Sequence, residues 1–475
     1  MIFNSFNFIV IFPLFFLLYY AIPAKYNNMR NVFLLFTSYL LYMNFKPVYA
    51  LILLFVTVIT YCFALLVTKH AGNKVKRKQI LSGGVLIGLL PLIVFKYYNF
   101  INESCFELLE AVGLRYQLQG LNWAIPVGIS FFTFQALSYL WDVYYGKIKA
   151  EPNFLHYALY VSFFPSIVSG PINKASLMLP QIKKQRTYFD YGKAVDGLKL
   201  LLWGMFLKVV VADRVGLYVD TVFSHYESYS GSSCMVASLL YTLQIYTDFS
   251  GYSFMAIGVG KVLGFDMTEN FRRPYLAYSV TDFWRRWHIS LSTWLKDYVY
   301  IPLGGSRCSK VRNYRNIIVT FLVSGIWHGA NWTFIVWGLL HGMFQVMEKA
   351  INQQKCDYGW LGRAIKIFIT FNLVNLAWIF FRMPTLGDAC GVVSRIMSFS
   401  QFGTLYLPTN TITAFIIFGV ISVMTKDLLD EYAPARYRLF ESRSQIVRWC
   451  SYLMILVLIL LTGVFDAGQF IYANF

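Results

Sequence analysis

Apolar runs long enough to cross a bilayer recur from one end of the chain to the other, at 48–68, about 80–98, 123–145, 195–212, 234–260, 366–381, 409–425 and 449–466. About twenty such residues in a helix span the roughly 30 Å hydrocarbon core. The pattern predicts an all-α polytopic membrane protein built as a multi-helix transmembrane bundle. No polar stretch is long enough to bury a core of its own, so residues 1–475 are expected to form one integral-membrane domain. Within it, 1–230 would supply N-terminal helices, 240–345 a central core and 360–475 C-terminal helices. The start, MIFNSFNFIVIFPLFFLLYYAI, lacks a basic leader and a small-residue cleavage site, so it reads as a retained first helix.

Three stretches depart from simple alternation. FLHYALYVSFFPSIVSGPI (154–172) is interrupted by Pro165 and Gly170-Pro171. It has basic loops on both sides, Lys147 and Lys149 before it and Lys183, Lys184 and Arg186 after it. A re-entrant segment and a proline-kinked helix with one loop mis-sided both fit, and re-entrant backbone is tolerated only where protein or a cavity lines it. Residues 316–347 must start and finish on one side for the later spans to alternate, and the break available for the turn is Gly325 to Gly329. TDFWRRWHISLSTWLKDYVYIPLGG (281–305) reads as an interfacial amphipathic helix. At about 100° per residue, Phe283, Trp287, Leu291, Trp294 and Tyr298 share a face opposite Arg285, Arg286, Ser292, Thr293 and Lys296. Ser279 and Asp282 have capping-box spacing at its start.

Charge adds orientation. Only 13% of residues are charged, against about 25% in soluble domains, while 57% are hydrophobic and 19% aromatic. The net charge of +18 sits in short loops beside apolar spans, where membrane orientation and lipid headgroups account for it and nucleic acid does not. The Lys69–Lys78 cluster and the basic stretch 261–315 are expected inside, and Glu103, Glu107 and Glu110 outside. The seven cysteines, Cys356 among them, form no C-x-x-C pair, so neither a metal site nor a disulfide framework is indicated.

Against this background VSGIWHGANW (323–332) stands out. His328 lies 13 residues from Arg315, or about 20 Å of helix, which places an ionisable ring deep in the hydrocarbon zone. Such groups usually face a bundle interior or a wet cavity. A neutral imidazole tying two helices together is the ordinary explanation, and it suits His341 and His156. His328 differs because Gly325, Gly329 and Asn331 prepare an irregular, polar-lined site, where an imidazole suits general-base work. His288, at the edge of the amphipathic face, reads on physics alone as part of an aromatic anchor with snorkelling arginines.

The segments QIYTDFSGYSFMAIGVGKVLGF (244–265), NFRRPYLAYSVTDFW (270–284), RRWHISLSTWLKDYVYIPLGG (285–305) and GIWHGANWTFIVWGLLHG (325–342), with FFPSIVSGPI (163–172), resemble the membrane-bound O-acyltransferase family. Within it they resemble the bacterial alginate O-acetyltransferase branch. The resemblance implies helices and re-entrant segments around a central tunnel, in a multi-pass protein of the bacterial cytoplasmic (inner) membrane. It puts the family's essential histidine at His328 and its second active-site position at His288. Acetyl transfer to an extracytoplasmic polysaccharide is implied, with acetyl-CoA as donor substrate and no bound cofactor. His328 would take the proton of the acceptor hydroxyl, and His288 or Asn331 would steady the oxyanion. Arg285 and Arg286 would meet the donor's phosphates, and Tyr246, Asp248, Ser250 and Trp327 would line the tunnel. A periplasmic or surface partner would pass the group on to an envelope or secreted glycan. Two alternatives remain: a carrier-protein donor, as in the D-alanyl-transfer branch, and a transporter or flippase.

Overall fold

The computed structural model describes residues 3, 5–114, 118–168, 170–184, 189–351, 359–434, 437–438 and 440–465. Ser169, Arg186, Cys356 and Asp466, on which parts of the sequence reading fall, lie outside them. Among the described residues all regular structure is helical. Five helices are long and apolar enough to cross a membrane: Pro47–Lys69, Lys74–Ala111, Trp360–Arg382, Asn410–Tyr432 and Gln445–Thr462. The chain divides into two compact units, one built mainly from 7–194 with 260–268, the other from 195–259 with 269–475.

The first unit holds α1 (Phe6–Ala21), α2 (Asn27–Met43), α3 (Pro47–Lys69), α4 (Lys74–Leu92), α5 (Tyr98–Ala111), α6 (Ile129–Tyr144), α7 (Phe154–Ser162), α8 (Phe164–Ile167) and α9 (Ala175–Lys183). Local signals set their ends. Pro47 opens α3 at a position that needs no N–H, and Asn73 caps α4 by accepting from the Lys76 amide. The segment 154–172 is not a kinked helix. Its α7 has nine residues, about 14 Å, and the chain breaks at Phe163, makes one turn and then loses helical form. Backbone that leaves the helix in an apolar setting needs other partners. Tyr160 donates its hydroxyl to the carbonyls of Gln135 and Asn173, and Asn173 donates to Ser166 Oγ and the Pro171 carbonyl. Residues 157–167 and 170–172 are buried in protein, as a re-entrant element requires.

The second unit holds α10 (Tyr191–Met205), which runs through a π-turn (Phe206–Ala212) into α11 (Asp213–Ser224), then α12 (Gly231–Val262), α13 (Val280–Arg286), α14 (Ile289–Leu295), α15 (Lys310–His328), α16 (Trp332–Ala350), α17 (Trp360–Arg382), α18 (Leu386–Met397), α19 (Asn410–Tyr432) and α20 (Gln445–Thr462). Residues 310–350 form the hairpin that alternation required: α15 and α16 are joined by three residues and run antiparallel. Their axes come close because Gly325 and Gly338 face each other, and a Cβ on either would strike backbone carbonyl oxygen, that of Phe334 or Phe321. Backbone cannot step aside as a side chain can. Gly338→Leu is therefore expected to cost about 3 kcal/mol or more and to collapse the monodisperse fraction of detergent-purified protein on size-exclusion chromatography.

Residues 281–305 do not form the single amphipathic helix that the periodicity predicts. The chain breaks at His288, which adopts a left-handed backbone (φ 42°), so α13 and α14 are separate. The expected apolar face is correct, since Phe283, Trp287, Leu291, Trp294 and Tyr298 are buried, but protein covers it. Periodicity reports which side chains seek apolar surroundings and cannot say whether lipid or protein provides them. The Ser279 cap is present, its hydroxyl accepting from the Asp282 amide. Glu348 on α16 accepts from the Val280 and Thr281 amides and so fixes the start of α13 against α16.

Candidate active site

Two helix ends and one helix middle converge in the second unit: the end of α15 with His328, the break between α13 and α14 with His288, and the middle of α16 with His341. All three imidazoles are buried. Aromatic rings hold them in place. His328 packs edge-on against Trp327, Trp337 and Phe381, with ring centroids 4.9, 4.9 and 5.2 Å away. His288 meets Phe249 at 4.7 Å and Trp327 at 5.9 Å, so the Trp327 indole touches both candidate catalytic rings. His341 accepts a hydrogen bond at Nδ1 from the Trp284 indole N–H at 3.2 Å and packs on Trp337 at 4.9 Å. It behaves as the structural histidine that the sequence suggests.

His288 is held by polar contacts as well. Asn270 Oδ1 lies 3.0 Å from His288 Nδ1 and also accepts from the Ser290 amide and hydroxyl at 3.2 and 2.9 Å. The Asn270 carbonyl accepts from the Ile289 amide at 3.0 Å. His288 lies outside the five candidate spans, and burial pushes its imidazole down to about 3, so the ring is neutral near pH 7.

A cavity of about 640 Å³, within the range of small-ligand sites, opens between α13, α14, α15 and α16. Arg285, Lys296 and Lys349 line it with no carboxylate among the lining residues, and seven hydroxyl side chains accompany them, Ser292, Thr293 and Thr320 included. Trp284 and Phe321 form apolar wall. Ser324, fully buried, belongs to the lining and lies one helical turn before His328. The cavity thus combines a cationic, hydroxyl-rich surface with a position on α15 adjacent to the WHG histidine.

The remaining candidates fall in different places. Arg286 does not line this cavity: it pairs with Asp282 at 2.9 Å and with Glu431 on α19 at 2.8 Å, and Arg273 joins it on Glu431 at 2.6 Å. Asn331 is an N-cap for α16, accepting from the Thr333 amide at 2.9 Å while its amide donates to the Pro384 carbonyl at 2.8 Å. Both ends of that side chain are committed. Tyr246 donates to Asp427 at 3.0 Å, and Ser250 is buried beside it on α12. Asp248 has a charge partner: Lys208, on the π-turn, sits 2.7 Å from Asp248 and 2.8 Å from Asp213, with all three side chains nearly dry. Sequence reasoning missed Lys208 although LLLWGMFLKVVVAD carries the signal, a lysine within an apolar run that needs an anionic partner. It also missed Asn270 and Lys349, for which no local pattern exists.

The model of the membrane-bound O-acyltransferase family matches residues 145–385, a range that contains His288, His328 and every residue lining the cavity. The chain is 39% identical over 403 residues to a protein of Pseudomonas syringae named probable alginate O-acetylase AlgI, covering 85% of this chain and 76% of that one. It is 36% identical over 444 residues to the peptidoglycan O-acetyltransferase of Helicobacter pylori, covering 86% and 82%. It is 26% identical over 320 residues to the teichoic acid D-alanyltransferase of Bacillus subtilis, covering 64% and 77%.

Proposed function

The chain belongs to the membrane-bound O-acyltransferase family and is a multi-pass membrane acyltransferase, and from that premise we propose that it moves an acetyl group from acetyl-CoA, bound on the cytoplasmic side of the inner membrane, to an extracytoplasmic hydroxyl. The acceptor is a polysaccharide of the envelope or a secreted glycan, reached directly or through a periplasmic or surface partner protein. The names of the relatives, which refer to alginate and to peptidoglycan, support a glycan acceptor. Family membership replaces the transporter alternative with transfer chemistry.

One observation carries the donor assignment: the cavity with three cations and no carboxylate lies against the stretch of α15 that ends in His328. Phosphate groups of a coenzyme thioester would meet Arg285, Lys296 and Lys349, since charge-assisted bonds are the strong ones. The apolar wall of Trp284 and Phe321 would take the pantetheine arm. In the transfer the acceptor oxygen bonds to the acetyl carbonyl carbon, the C–S bond breaks, and the thiolate leaves with the proton released by the hydroxyl. His328 and His288 are the pair that handles that proton and the oxyanion. A carrier-protein donor presents the same phosphopantetheine arm, and the D-alanyltransferase relative keeps that second reading in view.

Purified protein in liposomes, given labelled acetyl-CoA and a soluble glycan or hydroxyl acceptor, is expected to transfer label. Arg285→Ala should raise the KM for the coenzyme about 10-fold or more, the scale of one lost charge-assisted bond, with little change in kcat. Arg286→Ala should instead reduce the yield of folded protein, because it strips Asp282 of its cation and leaves Glu431 with Arg273 alone. No transfer from acetyl-CoA, with transfer from an acylated carrier protein, would reassign the donor.

A further inference from the structure

The hydrogen bonds around Asn270 define the protonation pattern of His288. Asn270 Oδ1 receives the Ser290 backbone N–H, a group that can only donate, so that atom is the carbonyl oxygen and an acceptor. The other end agrees, Nδ2 donating to Ser253 Oγ at 3.0 Å. An acceptor 3.0 Å from His288 Nδ1 requires a proton on Nδ1. A neutral imidazole carries one N–H, so Nε2 bears the lone pair. The backbone adds a second constraint. His288 sits in the left-handed region, and Ile289 N–H donates to the Asn270 carbonyl while Arg272 N–H donates to the Arg286 carbonyl. The strand of chain at 270–272 therefore grips 286–290 on both sides of the histidine, and Phe249 closes on the ring at 4.7 Å.

We propose that Asn270 is a positioning residue that locks His288 in the Nδ1–H tautomer, so that Nε2 of His288 is the atom that accepts the proton of the attacking hydroxyl. The inference rests on the acyl-transfer reading and reverses one part of it. Before proton transfer the lone pair at Nε2 has nothing to donate, so the preorganised oxyanion donor is a group other than His288. The step balances: the O–H proton moves to Nε2, the oxygen's electron pair forms the bond to the carbonyl carbon, and the carbonyl π pair becomes the oxyanion. Imidazolium and oxyanion arise together, so the dry site gains no net charge. Collapse expels the thiolate, which takes the proton back from Nε2. Throughout, Nδ1–H stays on Asn270, as the orienting partner does in other histidine-based sites.

The test reads the tautomer without turnover. ¹⁵N spectra of histidine-labelled full-length protein in detergent, with the His288 signals identified by their loss in His288→Gln, are expected to show a protonated Nδ1 and a bare Nε2. A protonated Nε2 in the wild type overturns the proposal whatever the donor is. Activity then tests the consequence. Asn270→Leu removes the acceptor, and kcat should fall by about 10²–10⁴-fold with the donor KM nearly unchanged. Asn270→Asp keeps an acceptor at the same place, so it should retain most of the wild-type kcat above neutrality. Its carboxylate favours imidazolium, which should raise the acidic limb of the kcat profile by about 1–3 pH units. The sign follows from the need for a bare Nε2, which is lost as pH falls through the raised value. An unmoved limb, or equal losses in the Leu and Asp variants, would make Asn270 a packing residue and overturn the proposal. A wrong choice of donor would abolish turnover in all variants and leave the spectra as expected, which separates the two failures.

Discussion

His328→Ala is expected to lower acetyl transfer by at least about 10²-fold. The estimate holds for either task the ring can perform, since a lost base is worth about 10²–10⁴ and a lost oxyanion donor about 10²–10³. The ring is buried, capped by Trp327, Trp337 and Phe381, at the point where α15 ends and helical backbone gives way to Gly329. Alanine there leaves a hole, and large-to-small changes in a core cost about 2–5 kcal/mol, so loss of fold could mimic loss of chemistry. His328→Gln fills more of the space and keeps polar atoms but has no titratable nitrogen. Both variants should elute with the wild type on size-exclusion chromatography if chemistry is the reason for the defect. The measurement is the initial rate of label transfer in liposomes per unit of folded protein. A rate within a few-fold of wild type in either variant would remove His328 from the reaction.

The second large effect is on folding. Lys208→Met should leave Asp213 and Asp248 facing each other in a nearly dry site with no cation between them. Breaking a buried ion pair by removing one partner costs about 3–5 kcal/mol, a large part of the 5–15 kcal/mol that holds a typical domain together. The π-turn at 206–212 carries Lys208, and its Val209 carbonyl also accepts from the Val464 amide, so the end of α20 depends on the same turn. Folded yield and thermal unfolding in detergent should both fall sharply. Lys208→Met combined with Asp213→Asn and Asp248→Asn should recover much of the loss, because neutral replacements of a whole buried ionic group are often tolerated. A single variant that folds normally yet fails to transfer acetyl would instead make the triad part of the reaction.

Much of this architecture is legible along the chain. Hydropathy identifies five of the eight apolar runs as helices long and apolar enough to cross a membrane, because crossing an apolar slab is a local requirement on about twenty neighbouring residues, whereas 123–145, 195–212 and 234–260 are not among those helices. The Ser279 cap and the buried face of 281–305 follow from equally local rules, and the expected turn is present but lies at 329–331, after a helix that runs on through Gly325 to His328. His328 emerged from its depth and its neighbours and His288 from the family-like segments around it, and the structure brings both rings to the same indole.

Other features depend on residues far apart in sequence. Arg285 and Arg286 are neighbours of identical type, yet one lines the cavity and the other is consumed by Asp282 and Glu431. Their fates differ because consecutive side chains on a helix point about 100° apart, and Glu431 arrives from a helix 145 residues away. Asn331 looks like a polar lining group beside WHG and is a helix cap, while Asn270, 18 residues from His288, is the partner that orients it. The helix predicted across 281–305 breaks at His288 because Asn270 and Ser290 offer the backbone and the ring a better set of hydrogen bonds than a continued helix would. A pattern along one segment records how that segment prefers water or oil. Which atom meets which across segments is set by packing, and packing exists only once the whole chain has folded.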